Sequence, residues 1–216
     1  LLFYRMGDFY ELFFQDAHGK PILNGYLEGT REEARAASLS KLSDSSTAPR
    51  LAALGVRYVL LRTEPPSYGQ PGAGRPTSQF RRLAGDPYAT LYAVVPRRSQ
   101  VAVTLTDGFS PPEIGAGGSF QWLVAHSGTI ELAGRCGTCA GTLRIRVGSF
   151  RRPRIVELLD HGRVVLRHRV AGPERFAVPL TFSRLTDLEL RATPGPEPVG
   201  ASDPRQLAIQ VLEARF

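Results

Sequence analysis

Lysine is nearly missing from this 216-residue chain: Lys20 and Lys41 are the only two. The formal net charge of +7 is therefore carried almost wholly by arginine. That skew follows from a GC-rich genome without any selection for binding. The arginines are scattered, with small knots at Arg81-Arg82, Arg97-Arg98 and Arg151-Arg152-Pro153-Arg154. A nucleic-acid footprint is a stripe or a dense cluster instead. Long apolar runs are missing too. A membrane-spanning helix needs about 20 apolar residues, and the longest candidate run, 51–61, is broken by Gly55 and Arg57. No signal peptide is evident. The chain opens on Leu1, which sets the expectation of a segment of a longer protein, with any signal or anchor outside it.

Cysteine is scarce as well. Cys136 and Cys139 form one C-x-x-C, half of a four-cysteine zinc site without a second half. The four histidines, His18, His126, His161 and His168, have no ligand spacing, so no metal and no cofactor is expected. A redox pair normally opens a helix after a strand. Here Gly134, Gly137 and Gly141 surround the cysteines and point to a turn between strands. The pair is read as a local disulfide, or two thiols, stapling a β-turn, with a redox or metal role as the other readings. A disulfide implies an oxidising, extracytoplasmic setting. There is no G-x-x-x-x-G-K-[ST] phosphate loop. Neither paired carboxylates nor a Ser/His/Asp set occurs at a recognisable spacing, which disfavours a free-standing sandwich hydrolase. Asp44, Asp86, Asp107 and Asp160 each have a turn-like context that suits local hydrogen bonding, and no residue is assigned as catalytic.

What is present is architecture. Residues 1–17 are expected to supply one strand, residues 18–98 a small α/β unit, and residues 99–216 a β-sandwich. Thr30 and Glu33 have capping-box spacing ahead of an expected helix over 31–42. Ser46 or Thr47 caps a second short helix through Leu54, stopped by Gly55. The run 56–61 is a buried strand, expected to pair with the apolar stretch 88–95. Residues 80–83 are another strand. Residues 64–77 and 108–118 are Gly/Pro loops. Beyond them, strands are expected at 120–124, 129–133, 141–147, 155–159, 164–170, 175–180, 185–191 and 207–212. Alternation is clean in 143–147 and 188–191, which means one buried and one wet face. Eight short strands with regular turns argue for a jelly-roll-like antiparallel sandwich, so the class is α+β. Trp122 is read as a core anchor, with a sugar-stacking carbohydrate platform as the other reading.

Two resemblances add to this. Residues 1–17, LLFYRMGDFYELFFQDA, resemble the start of the mismatch-recognition domain of MutS. Phe9-Tyr10-Glu11 matches that family's Phe-x-Glu motif, which implies Phe9 as a wedge stacking on a mispaired base and Glu11 as its hydrogen-bonding partner. After Ala17 the pattern is not followed. From His18 onward the chain resembles the C-terminal extracytoplasmic region of actinobacterial membrane glycosyltransferases of the GT-C type. The resemblance rests on 18–26, 54–60, 88–94, Gly108-Phe109, Trp122, the C-x-x-C turn, Ser149-Phe150-x-x-Pro153 and Asp203-Pro204-Arg205. It implies a non-catalytic accessory region. Its partners would be the membrane-embedded part of the same protein and glycan or cell-wall polymer. The MutS resemblance implies a cytoplasmic DNA mismatch-binding module instead.

Overall fold

The computed structural model describes residues 2–4, 39, 41–45, 47–62, 74–95, 101–115 and 118–216. The chain divides into two compact units, Leu1–Gln100 and Val101–Phe216.

In the first unit, β1 (Leu2–Tyr4), β2 (Tyr58–Arg62), β3 (Phe80–Gly85) and β4 (Ala89–Val94) form one sheet in the order β1-β2-β4-β3. β1 lies parallel to β2, with Leu2, Phe3 and Tyr4 paired to Val59, Leu60 and Leu61. Helix α1 (Thr47–Ala53) precedes β2. Pro49 is tolerated because the first helical turn has no need of its N–H. The helix ends at Gly55, whose φ of +81° suits a residue without a Cβ. Gly55 N–H donates to Ala52 O and Val56 N–H to Leu51 O, both at 2.9 Å. These two bonds are the Schellman pair that satisfies the last helical carbonyls. Leu39, Leu42, Leu51, Val56, Val59 and Phe80 form the buried core. The expected helix 31–42 lies mostly outside the described residues, and Leu39 and Leu42 themselves sit in turns.

The β3–β4 hairpin closes on Asp86. Its Oδ1 accepts from the N–H groups of Tyr88 and Ala89, both at 2.7 Å. Those bonds favour the ionised form and hold the carboxyl below its ordinary value of 3.8. A lowered folded-state value stabilises the hairpin above about pH 3.8, and the gain is lost as pH falls through and below it. An NMR titration of the Asp86 carboxyl is expected to give a midpoint below 3.8, with the Tyr88 and Ala89 amides losing protection over the same range.

The second unit is a sandwich of two antiparallel sheets. Its strands are β5 (Ala102–Leu105), β6 (Glu113–Gly115), β7 (Gly118–Trp122), β8 (Ser127–Ala133), β9 (Cys139–Ser149), β10 (Arg154–Asp160), β11 (Arg163–Val170), β12 (Glu174–Phe182), β13 (Leu185–Thr193), β14 (Glu197–Gly200), β15 (Asp203–Leu207) and β16 (Ile209–Arg215). One sheet runs β11-β10-β13-β8-β5 and the other β12-β9-β16-β7-β6; β14 and β15 form a separate hairpin. From β7 to β13 the chain changes sheet at every step except the β10–β11 hairpin. The order β11-β10-β13-β8 opposite β12-β9-β16-β7 is that of an eight-stranded jelly roll, with β5 and β6 each extending a sheet by one strand.

Alternation explains the layering. Leu143, Ile145 and Val147 of β9 point inward, as do Leu188, Leu190 and Ala192 of β13 and Ile209 and Val211 of β16. Each fully buried Leu, Ile or Val contributes roughly 1.5–3 kcal/mol. The intervening residues form the outer faces.

Cys136 and Cys139 are joined as a disulfide across the β8–β9 turn, with Cα atoms 5.4 Å apart. Gly134 packs against it: a Cβ there would come within 2.6 Å of Cys139 Sγ. Closing so short a loop contributes about 2 kcal/mol by chain entropy. Reduction is therefore expected to lower the unfolding free energy of the sandwich, read from urea titration, by about 2 kcal/mol without unfolding it at room temperature.

Candidate functional face

The candidate site is the outer face of the β12-β9-β16-β7 sheet. Its position follows from register. Ile209 and Val211 are buried, so Gln210 between them points outward. Gln210 faces Trp122 on one side and Gly148 on the other, and directly opposed residues share a face. Trp122 is thus on the outer face, half-buried, and does not anchor the interior. The core-anchor expectation is corrected here: the interior position next to it is taken by Leu123, which is fully buried.

The backbone under Trp122 is fixed. Its N–H donates to Ser110 Oγ at 3.0 Å, and its carbonyl accepts from Ser110 N–H at 2.8 Å. Gln121 Nε2 donates to Ser110 O at 2.8 Å. Phe120, two residues earlier on the same face, meets the indole edge-to-face with ring centroids 6.1 Å apart. Phe150 meets it at 5.6 Å, also nearly perpendicular. Such pairs are worth about 0.5–1.5 kcal/mol each beyond burial. Two rings therefore brace the indole while part of it stays at the surface.

Along the strands from this aromatic end, the face becomes basic. Arg144 and Arg146 alternate outward on β9. Arg146 faces Arg175 on β12 and Glu213 on β16. Arg144 faces Ala177 and Arg215. Together these side chains line an open depression of about 380 Å³. Arg215 Nε bonds Glu213 Oε1 at 2.9 Å. Arg144, Arg146 and Arg175 make no ion pair with the described residues.

The knot Arg151-Arg152-Pro153-Arg154 beside Phe150 is not a free basic patch. Arg154 is buried at 1% exposure. Arg152 Nε pairs with Glu197 Oε2 at 3.1 Å. Arg151 lies over the Phe150 ring, 4.8 Å from its centroid, and donates to Pro198 O and Val199 O.

The opposite outer face carries cross-paired charges and an arginine, Arg169, without an ion pair to the described residues. Arg191 is bound to Glu189 at 2.7 Å, and Arg167 pairs with Glu157 at 3.4 Å. Asp160 meets His161 at 2.6 Å at the end of β10. Among the described residues no cluster of His, Cys, Asp or Glu is set to hold a metal ion. No helix of the described residues is long and apolar enough to cross a membrane. Phe9 and Glu11 lie outside the described residues.

Sequence reasoning named Trp122 and did not single out Phe120, Phe150 or the arginine grid as site residues. The alternation in 143–147 revealed a wet face, but the partners that make it a cluster, Arg175 and Arg215, are 29 or more positions later in the chain.

A family model of MutS domain I matches residues 1–57. The likeness thus runs beyond Ala17, where the peptide pattern alone ended. No curated protein matches the chain. Among solved structures, a mutant of a family 29 carbohydrate-binding module is 10% identical at a TM-score of 0.30, covering 64% of this chain and 88% of its own. Another family 29 module has the same identity and TM-score, with coverages of 63% and 83%. A cycloalternan-forming enzyme from Listeria monocytogenes, in complex with a pentasaccharide substrate, is 11% identical at a TM-score of 0.28, covering 74% of this chain and 18% of that one. At such distance these likenesses carry no functional weight.

Proposed function

We propose that the sandwich is a non-catalytic glycan-contacting module, with the outer face of β12-β9-β16-β7 as its binding surface. The observation that carries this reading is Trp122, braced by Phe120 and Phe150 on an open sheet face beside a depression lined by hydrogen-bond donors. An aromatic plane supplies apolar contact to a sugar ring at little entropic cost, and fixed polar groups around it give orientation. In this reading the chain is the extracytoplasmic accessory region of a membrane glycosyltransferase-like protein. Its partners are the membrane-embedded part of that protein and a glycan or cell-wall polymer. The resemblance from His18 onward and the Cys136–Cys139 disulfide support that setting. The test is titration of the full chain against a panel of immobilised polysaccharides. Retention by at least one of them supports the reading, and a blank panel removes it.

A second reading has its own observation. The match of residues 1–57 to MutS domain I favours a mismatch-binding role for Phe9 and Glu11. It requires tighter binding to mismatched than to matched duplex, with the difference lost in Phe9→Ala. Equal, purely salt-dependent binding would reduce it to bulk arginine charge.

A further inference from the structure

The arginine half of the face has a feature that stability does not explain. Like charges directly opposed across strands are destabilising. Yet Arg146 faces Arg175, and Arg144 faces Arg215. Four guanidinium groups and one carboxylate, Glu213, share a single depression. That leaves an excess of three positive charges, since four minus one is three. On the opposite outer face Arg191 and Arg167 are each matched by an acid, and Arg169, which makes no ion pair with the described residues, faces Ile155 and not another arginine. An anion from outside would relieve the repulsion in this depression.

We propose that this face binds an acidic glycan whose charge is carried by sugar carboxylates. The sugar ring lies at Trp122, and the carboxylates are taken by Arg144, Arg146 and Arg175. This inference rests on the glycan-binding reading of the same face and adds the chemical class of the polymer. Three observations support it. The guanidinium fork matches a carboxylate with two parallel N–H···O bonds. The grid already has one carboxylate among its arginines, Glu213, which pairs with Arg215 Nε at 2.9 Å and lies opposite Arg146, so this set of side chains accommodates a carboxylate. The spacing also suits a polymer. Gly148 is level with Trp122 across Gln210, and Arg146 and Arg144 lie two and four residues further along β9. At about 3.3 Å per residue those offsets are roughly 7 and 13 Å. One chain laid along β9 therefore meets the aromatic end and then successive cations. Single-stranded nucleic acid would need successive aromatic platforms for successive bases. Here Phe120 and Phe150 stand nearly perpendicular to the indole and offer no such series.

The test compares the full chain's affinity for polygalacturonate and for its carboxyl-reduced, neutral derivative, with polyglycerol phosphate and poly(dT) as further arms. The double variant Arg144→Gln/Arg175→Gln is measured alongside. Polygalacturonate is expected to bind about tenfold or more tighter than the neutral polymer, and tighter than both phosphate polymers. The double variant is expected to lose that preference and to flatten the salt dependence. Its unfolding midpoint should stay unchanged or rise, because one member of each like-charge pair is gone. Equal affinity for the charged and neutral polymers, unaffected by the double variant, would overturn the inference while leaving the aromatic reading intact. Tighter binding of polyglycerol phosphate or poly(dT) would overturn it in favour of phosphate recognition. No binding to any polymer would overturn it together with the reading on which it rests.

Discussion

Arg154→Met is expected to destabilise the sandwich by about 3–5 kcal/mol, the cost of removing one partner from a buried charged network. The guanidinium is the hub of three segments distant in sequence. Nε donates to Pro194 O at 3.1 Å. One terminal nitrogen donates to Phe150 O, to Arg152 O at 3.2 Å and to Ser149 Oγ at 3.3 Å. The other reaches Gly195 O at 3.4 Å, Leu207 O at 3.5 Å and Glu197 Oε1 at 3.1 Å. The β9–β10 turn, the segment after β13 and the end of β15 are thereby tied to one planar group. Methionine fills much of the space but leaves these carbonyls without donors in a site closed to water. Lysine would restore the charge but not the fork, so Arg154→Lys is expected to recover only part of the loss. Urea unfolding of the two variants beside the unaltered chain measures both effects. A change below about 1 kcal/mol for Arg154→Met would mean that water replaces the guanidinium. Phe150 starts from one of the carbonyls that Arg154 holds, so this hub also fixes one wall of the aromatic cluster.

The second large effect is on binding. Trp122→Ala is expected to weaken affinity for a retained polysaccharide by roughly 30-fold, corresponding to the ~2 kcal/mol of a binding hot spot. Stability should change much less than in the Arg154 variants. Trp122 is outside the interior cluster, and its backbone bonds to Ser110 do not involve the indole. Phe120→Ala and Phe150→Ala are expected to weaken binding less, because each removes one brace and leaves the platform. Isothermal titration, with the unfolding midpoint measured on the same samples, separates lost contact from lost fold.

The jelly roll was legible because its eight principal strands are short apolar segments between turn signals, two of them with plain period-2 patterning. Leu143-Arg144-Ile145-Arg146-Val147 on β9 and Leu188-Glu189-Leu190-Arg191 on β13 are the plainest cases. The strands that escaped notice lack that signal. All four residues of β5 are buried, so there is no alternation to see. β6 lies inside the Gly/Pro stretch 108–118. β14 and β15 contain Pro198 and Pro204, residues that lower any strand reading. In the first unit, Gly55 and the apolar run after it marked the α1–β2 junction, but β2 is not the buried strand expected: Val59 is buried, Leu60 and Leu61 are half-buried and Tyr58 is exposed.

The face of the sandwich was harder to read. Trp122-Leu123-Val124 is a continuous apolar run, and nothing in it says which of the three points outward. Only pairing with Gln210, almost ninety positions later, decides. Arg154 was hidden in the same way. In sequence it belongs to a basic knot, yet its environment is built from carbonyls at 150, 152, 194, 195 and 207. The arginine grid likewise exists only once β9 lies between β12 and β16.

The most direct test of a binding role for this face is NMR shift mapping of the full chain during titration with a polysaccharide fragment. The account predicts that the Trp122 indole N–H and the amides around Arg144, Arg146, Gln210 and Glu213 move together and saturate at one affinity. Shifts confined to the opposite sheet, β11-β10-β13-β8-β5, with the Trp122 signal unmoved at saturation, would contradict it.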